Sequence, residues 1–361
     1  MLAVYVSGHG FGHSTRTAEV LRAVRERAPR LPIAVCTSAP GFLFEGVVSP
    51  PLALRRVECD VGLVQKDALV IDEEGTAAAW RDFRKGWDAL VAREAAWLRQ
   101  AGTRLVLGDI PPLAFAAAGE AGRASVGLSN FSWDWIYGHL ASRVPALAEA
   151  AARAREAYTR ADLLLRLPFA GDLTAFRRIE DVPLVVRKPP VGKAEARGRL
   201  GLDERPAVLL SFGGLGLPGL RPAAFGSLGG YQLLLTGRAG DGRVPANLRR
   251  LDGDALAVVG LSYPDLVGAA DVVVTKPGYG IVTDCIGAAT RLVYTDRGDF
   301  PEYPVMVGEM PRYLPAVFAS NDEVREGRLG PALEAVLAQP FPVPPRTDGA
   351  AVAAEKLLAL L

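Results

Sequence analysis

The sequence is poor in the residues that build cross-links and metal cages. Its three cysteines, Cys36, Cys59 and Cys285, are odd in number, far apart and without paired spacing. That pattern argues against a disulfide framework and a zinc site, and it fits a reducing compartment, expected to be the cytoplasm. No bound metal or cofactor is expected. Histidine is equally scarce, with three residues in 361, so two of them in one short loop stand out. An excess of charge is also missing. The 41 basic and 40 acidic residues leave a net charge of +1, without long like-charge blocks, which removes the main electrostatic reason to expect nucleic acid or an anionic membrane as partner. No apolar run reaches membrane-spanning length, and the N-terminus lacks a signal-peptide pattern, so no integral membrane segment is expected. What is present is a chain that is 50% hydrophobic, long enough for two ordinary domains and suited to a small-molecule ligand.

Short Val-, Leu- and Ile-rich runs alternate with helical patterns, as in βαβ units with buried parallel sheets. Strands are expected at Leu2–Ser7, Pro32–Thr37, Leu52–Cys59, Arg104–Gly108, Ala124–Leu128 and Asp162–Arg166. One helix is expected over Thr76–Gln100, where Trp80, Phe83, Trp87, Leu90, Val91, Ala95 and Leu98 recur at three and four residues. A second series follows the pair Pro189-Pro190, with strands at Ala207–Phe212, Tyr231–Thr236, Leu256–Val259, Asp271–Thr275 and Arg291–Tyr294. Proline interrupts both ladder and helix, which makes this pair the natural linker. The expected division is 1–188, 189–345 and a last helix in 346–361, of the kind that can return to the first domain.

The loop Gly8-His9-Gly10-Phe11-Gly12-His13 follows the first strand and opens a helix, where backbone N–H groups and the helix dipole favour an anion. It is not a dinucleotide fingerprint. His13 holds the place of the third glycine, and the second strand ends without the ribose-binding acid. The glycines Gly10 and Gly12 instead allow close approach of a ligand, and His13 at the helix start is a candidate general base. His13 as a simple cap and His9 as a solvated loop residue are the plainer readings. Asp109, at the end of a strand on the same side, can orient the imidazole. Trp133 and Asp134, after the next strand, are candidate acceptor contacts, with packing as the alternative for the tryptophan.

In the second half, Gly213 and Gly214 form a loop that either cradles a phosphate or simply turns the chain. The run Thr275-Lys276-Pro277-Gly278-Tyr279-Gly280-Ile281-Val282-Thr283-Asp284 is more specific. A strand ends at a cation, a glycine-flanked turn opens a helix, and a carboxylate follows about one turn along. That order suits a nucleoside diphosphate, with Lys276 and helix amides from Gly278, Tyr279 and Gly280 on the phosphates, Thr283 nearby and Asp284 on the ribose. A surface lysine beside a loop remains the alternative. Glu302 lies in the loop Asp296–Pro304, whose carboxylates can accept sugar hydroxyls or be merely solvated.

Taken together, the tandem Rossmann-like units, the His13 loop and the second-half phosphate loop resemble the GT-B glycosyltransferase superfamily. The blocks Gly8–Arg16, Asp60–Leu69, Ser129–Tyr137, Asp181–Arg187 and Gly278–Gly280 are similar, in order, to the glycosyltransferase-like region of L-arabinokinase-type proteins. Those proteins carry their sugar kinase in a further C-terminal domain, and no kinase activity is expected of this sequence. The resemblance implies an α/β GT-B fold, two parallel-sheet domains facing a central cleft. It also implies a nucleotide-sugar donor such as a UDP-sugar on the second domain and an acceptor on the first, with His13 as base. The expected activity is metal-independent transfer of the sugar to an acceptor hydroxyl. A nucleotide-sugar epimerase or hydrolase and a non-catalytic nucleotide-sugar sensor are the rivals.

Overall fold

The computed structural model describes the chain except residues 68, 214–215, 238–242 and 252. It forms two compact units. The first comprises Met1–Val64, Asp72–Val186 and Arg346–Leu361; the second comprises Gln65–Ile71 and Arg187–Pro345.

The first unit holds a parallel sheet of β1 (Leu2–Val6), β2 (Ile33–Thr37), β3 (Leu52–Arg56), β4 (Leu105–Asp109), β5 (Ala124–Ser129), β6 (Leu163–Arg166) and β7 (Ile179–Asp181), in the order β3-β2-β1-β4-β5-β6-β7. The second holds β8 (Ala207–Ser211), β9 (Gln232–Thr236), β10 (Leu248–Leu251), β11 (Val272–Thr275), β12 (Arg291–Tyr294) and β13 (Ala316–Phe318), in the order β10-β9-β8-β11-β12-β13. Both are Rossmann orders, and each reverses direction beside its first strand: between β1 and β4, and between β8 and β11. Ligands of such sheets bind outside the strand C-termini at these reversals. In the first sheet the register sets Val6 opposite Asp109 there.

All residues of β1, β2, β4, β8 and β11 are buried, as continuous apolar runs covered on both faces should be. Each fully buried Val or Leu contributes about 1.5–3 kcal/mol. A charge also enters this layer. Glu94 accepts hydrogen bonds from Tyr5 Oη at 2.9 Å and Arg55 Nη1 at 2.8 Å, and the Arg55 guanidinium lies 3.6 Å from the Trp97 ring centroid. Pairing of this kind makes a buried carboxylate tolerable.

Three elements differ from the sequence expectation. The helix expected over Thr76–Gln100 is two, Glu73–Lys85 and Trp87–Gln100, divided at Gly86. Periodicity survives such a break because apolar positions on both pieces face one core. Leu256–Val259 is not a strand: Gly253–Val258 is helical, and the ladder position belongs to Leu248–Leu251. A four-residue apolar run carries no period that separates the two states. The polar strand Arg249-Arg250 is an edge, buried only at its ends. The short edge strands β7 and β13 were likewise not anticipated. The last helix, Gly349–Ala359, packs within the first unit on the helix Phe11–Arg27, and Lys356 Nζ donates to Glu180 at 2.5 Å.

Candidate functional site

Each unit carries a polar cluster at the strand reversal of its sheet. In the first, β1 ends at Val6, the chain turns through Gly8–Gly10 (Gly10 φ 76°), and the helix Phe11–Arg27 presents His13, Arg16 and Thr17 toward the end of β4. Asp109, fully buried, is the hub. Its Oδ1 lies 2.8 Å from His13 Nδ1 and accepts from Arg16 Nη2 at 2.5 Å. Its Oδ2 accepts from Arg16 Nε at 2.8 Å and Thr17 Oγ1 at 2.6 Å. Arg16 also donates to Asn130 Oδ1 at 2.7 Å and Ser129 Oγ at 3.2 Å. Burial pushes the Asp109 carboxyl up, but the Arg16 guanidinium and His13 outweigh it and hold the group at about 2. A carboxylate on a protonated Nδ1 leaves Nε2 as the ring nitrogen that can accept a proton.

A second carboxylate stands beside this cluster. Asp60, partly buried in the loop after β3, accepts from Ser7 Oγ at 3.1 Å and from the Trp133 indole N–H at 2.8 Å. Burial pushes it up to about 6, against the opposing pull of these donors and of His13. Sequence reasoning passed over Asp60 and Arg16. The signal for Arg16 was its i,i+3 spacing from His13 on one helix face; Asp60 had none beyond following a strand.

Several candidate contact residues have partners within the fold. Trp133 is 1% exposed, stacks on Tyr137 at 5.5 Å and donates to Asp60, so it is a packing and orienting residue without a face for a ligand. Asp134 is buried and paired with Arg155 at 3.1 Å. His9 accepts from the Leu63 amide at 3.4 Å and sets its ring edge-on to Trp133 at 5.9 Å. Apart from Tyr137, four residues beyond Trp133 on the same helix, these partners are distant in sequence, beyond the reach of local spacing. Gly10 and Gly12 lie where expected, at the cap and first turn of the helix.

In the second unit Lys276 follows β11, and Gly278, which has no side chain to cap with, is the N-cap of the helix Tyr279–Ala288. The Lys276 ammonium is brought down to about 8 by burial, then by Arg297, with Asp67 opposing. Arg297, after β12, brings Nη1 to 4.0 Å from the position a Cβ on Gly278 would take. It pairs with the buried Glu302 at 3.8 Å, so that acid is engaged by a cation. Thr283 Oγ1 donates to the Gly280 carbonyl at 3.0 Å, and Tyr279 is buried. Gly213 lies in the loop after β8 with φ 72°; Gly214 falls outside the described residues. Asp284, expected within reach of ribose hydroxyls, is engaged within the fold. Asp284 is 2% exposed and forms a two-pronged ion pair with Arg187, through Nε at 3.0 Å and through Nη2. Spacing placed an acid one turn into the helix but could not show the arginine opposite. Among the described residues no group of three His, Cys, Asp or Glu side chains is arranged to hold a metal ion, and no helix is long and apolar enough to cross a membrane.

The two Rossmann-like sheets define the GT-B glycosyltransferase fold. The chain is similar in fold to Arabidopsis thaliana UGT89C1 complexed with UDP, with a TM-score of 0.61 and 14% identity over 99% of this chain and 94% of that one. Against the glycosyltransferase VinC in complex with dTDP the TM-score is 0.59, with 16% identity over 99% and 94% of the two chains. In sequence the chain is similar to L-arabinokinase of Arabidopsis thaliana, 33% identical over 350 residues. The match takes in 92% of this chain but spans about a third of the relative's length (32%). No family model matches the chain.

Proposed function

We propose that the protein is a nucleotide-sugar-dependent glycosyltransferase. The observation that carries this reading is the 2.8 Å contact of His13 Nδ1 with buried Asp109 at the strand reversal, in a fold shared with glycosyltransferases. His13 Nε2 takes the proton of an acceptor hydroxyl as its oxygen bonds to the anomeric carbon. The bond from that carbon to the diphosphate oxygen breaks, and the nucleoside diphosphate leaves with the electron pair. Asp109 already shares its charge with Arg16, so its main task is to orient the imidazole. Asp60 supplies a second negative charge beside the imidazolium that forms. Lys276, Arg297 and the first turn of the helix Tyr279–Ala288 meet the charge developing on the leaving group. No metal or cofactor is assigned, and chelation with EDTA is expected to leave the rate unchanged.

The test is release of nucleoside diphosphate from UDP- and dTDP-sugars, with and without an acceptor library. Release that depends on acceptor and falls about 10²–10⁴-fold in His13→Ala, with nucleotide binding retained, supports the proposal. A native rate in His13→Ala removes the base assignment. Release without acceptor would identify a hydrolase, conversion of the donor to an epimeric nucleotide sugar an epimerase, and binding without turnover a sensor.

A further inference from the structure

The segment Gln65–Ile71 leaves the first half of the chain and is integral to the second unit. Gln65 and Ile71 form an antiparallel bridge, and the Lys66 amide donates to the Val70 carbonyl at 2.9 Å. Leu69, 8% exposed, is anchored in the second unit's apolar core with Phe212, Val274 and Val293. The Leu69 carbonyl presses on Gly298, where a Cβ would come within 2.3 Å of its oxygen and where φ is +64°. Only glycine suits that position. The hairpin is thereby fixed against the loop that carries Arg297, beside Lys276.

Asp67 lies two residues before Leu69, whose carbonyl meets Gly298 next to Arg297. Its Oδ1 accepts from the amides of Leu69 at 2.7 Å and Val70 at 3.0 Å, so the carboxylate is held in one orientation, while Oδ2 makes no hydrogen bond among the described residues. The charge acts on Lys276 against the effects of burial and Arg297. A carboxylate beside a diphosphate site repels phosphate oxygens and accepts only from a donor such as a hydroxyl. In a nucleotide sugar the hydroxyl-rich group attached to the diphosphate is the sugar. The geometry points to Asp67 as a specificity-determining residue of the donor site, its Oδ2 accepting a hydroxyl of the donor's sugar; this rests on the donor-site reading above.

The experiment is calorimetric titration of the full chain, native and Asp67→Asn, with UDP, dTDP, UDP-glucose, UDP-galactose and dTDP-glucose. Asparagine keeps an oxygen for the two turn amides, so the hairpin is preserved while the charged acceptor is lost. The expected result is about a tenfold loss of affinity for the best-bound sugar nucleotide, with the corresponding diphosphate unchanged. Leu69→Ala, which loosens the anchor without touching the carboxylate, is expected to weaken the same ligand selectively. Equal losses for diphosphate and sugar nucleotide, or no change in Asp67→Asn, overturn the assignment while leaving the donor site standing. If the native chain binds none of the five ligands, the donor-site reading itself fails and the Asp67 assignment falls with it.

Discussion

At the scale of single residues, the two carboxylates near His13 behave oppositely because their partners differ. Asp109 has a guanidinium against it and stays ionised down to about pH 2. Asp60 has only neutral donors in direct contact, so burial prevails and its carboxyl rises to about 6. An acid raised above its unfolded value holds a proton that the unfolded chain has already released. Stability from this group is therefore greatest at low pH and declines as pH rises from about 4 through about 6. Because the Trp133 indole donates to Asp60, tryptophan fluorescence of the native protein is expected to titrate with a midpoint near pH 6. The Asp60→Asn protein should lack that transition; its persistence there would assign the titration elsewhere.

At the scale of elements, the long-range partner decided what local pattern left open. The periodic run from Thr76 to Gln100 was correctly apolar on one face, yet Gly86 splits it. The short run at Leu256 had no period to read and became a helix. The terminal helix Gly349–Ala359 is a full member of the first unit, with Leu357 completely buried. Leu357→Ala is expected to lower unfolding free energy by about 2–5 kcal/mol in denaturant titration. A loss below about 1 kcal/mol would mean that the helix is not packed as described. The hairpin Gln65–Ile71 illustrates the same point: it lies within the stretch 1–188 expected as the first domain, and its apolar anchor belongs to the second unit.

At the scale of the whole molecule, binding of a nucleoside diphosphate to the folded chain should raise its melting temperature by mass action, about 2.7 kcal/mol of stabilisation at a hundredfold excess over Kd. The Lys276 ammonium, brought down to about 8 by burial and by Arg297, loses its proton as pH rises through that value, and with it part of the attraction for phosphate. The thermal shift given by UDP or dTDP is therefore expected to shrink between pH 7 and pH 9 by more than it does in Lys276→Met. A shift independent of pH in the native protein would remove Lys276 from the phosphate site.

The sequence by itself determined the α/β class, the tandem parallel sheets, the candidate base His13 with Asp109, and the lysine before a glycine-opened helix. Each is written in local terms: apolar runs that need cover on both faces, glycines where backbone must approach closely, and polar residues directly after strands. Only the tertiary structure decided which charges meet. It joined Arg16 to Asp109, gave Asp284 to Arg187, buried Trp133 against Asp60 and carried Asp67 into the second unit. Those pairings follow from strand order and helix docking across many residues of separation, and the free energy of a buried charge depends on the partner it finds there rather than on its neighbours in the chain.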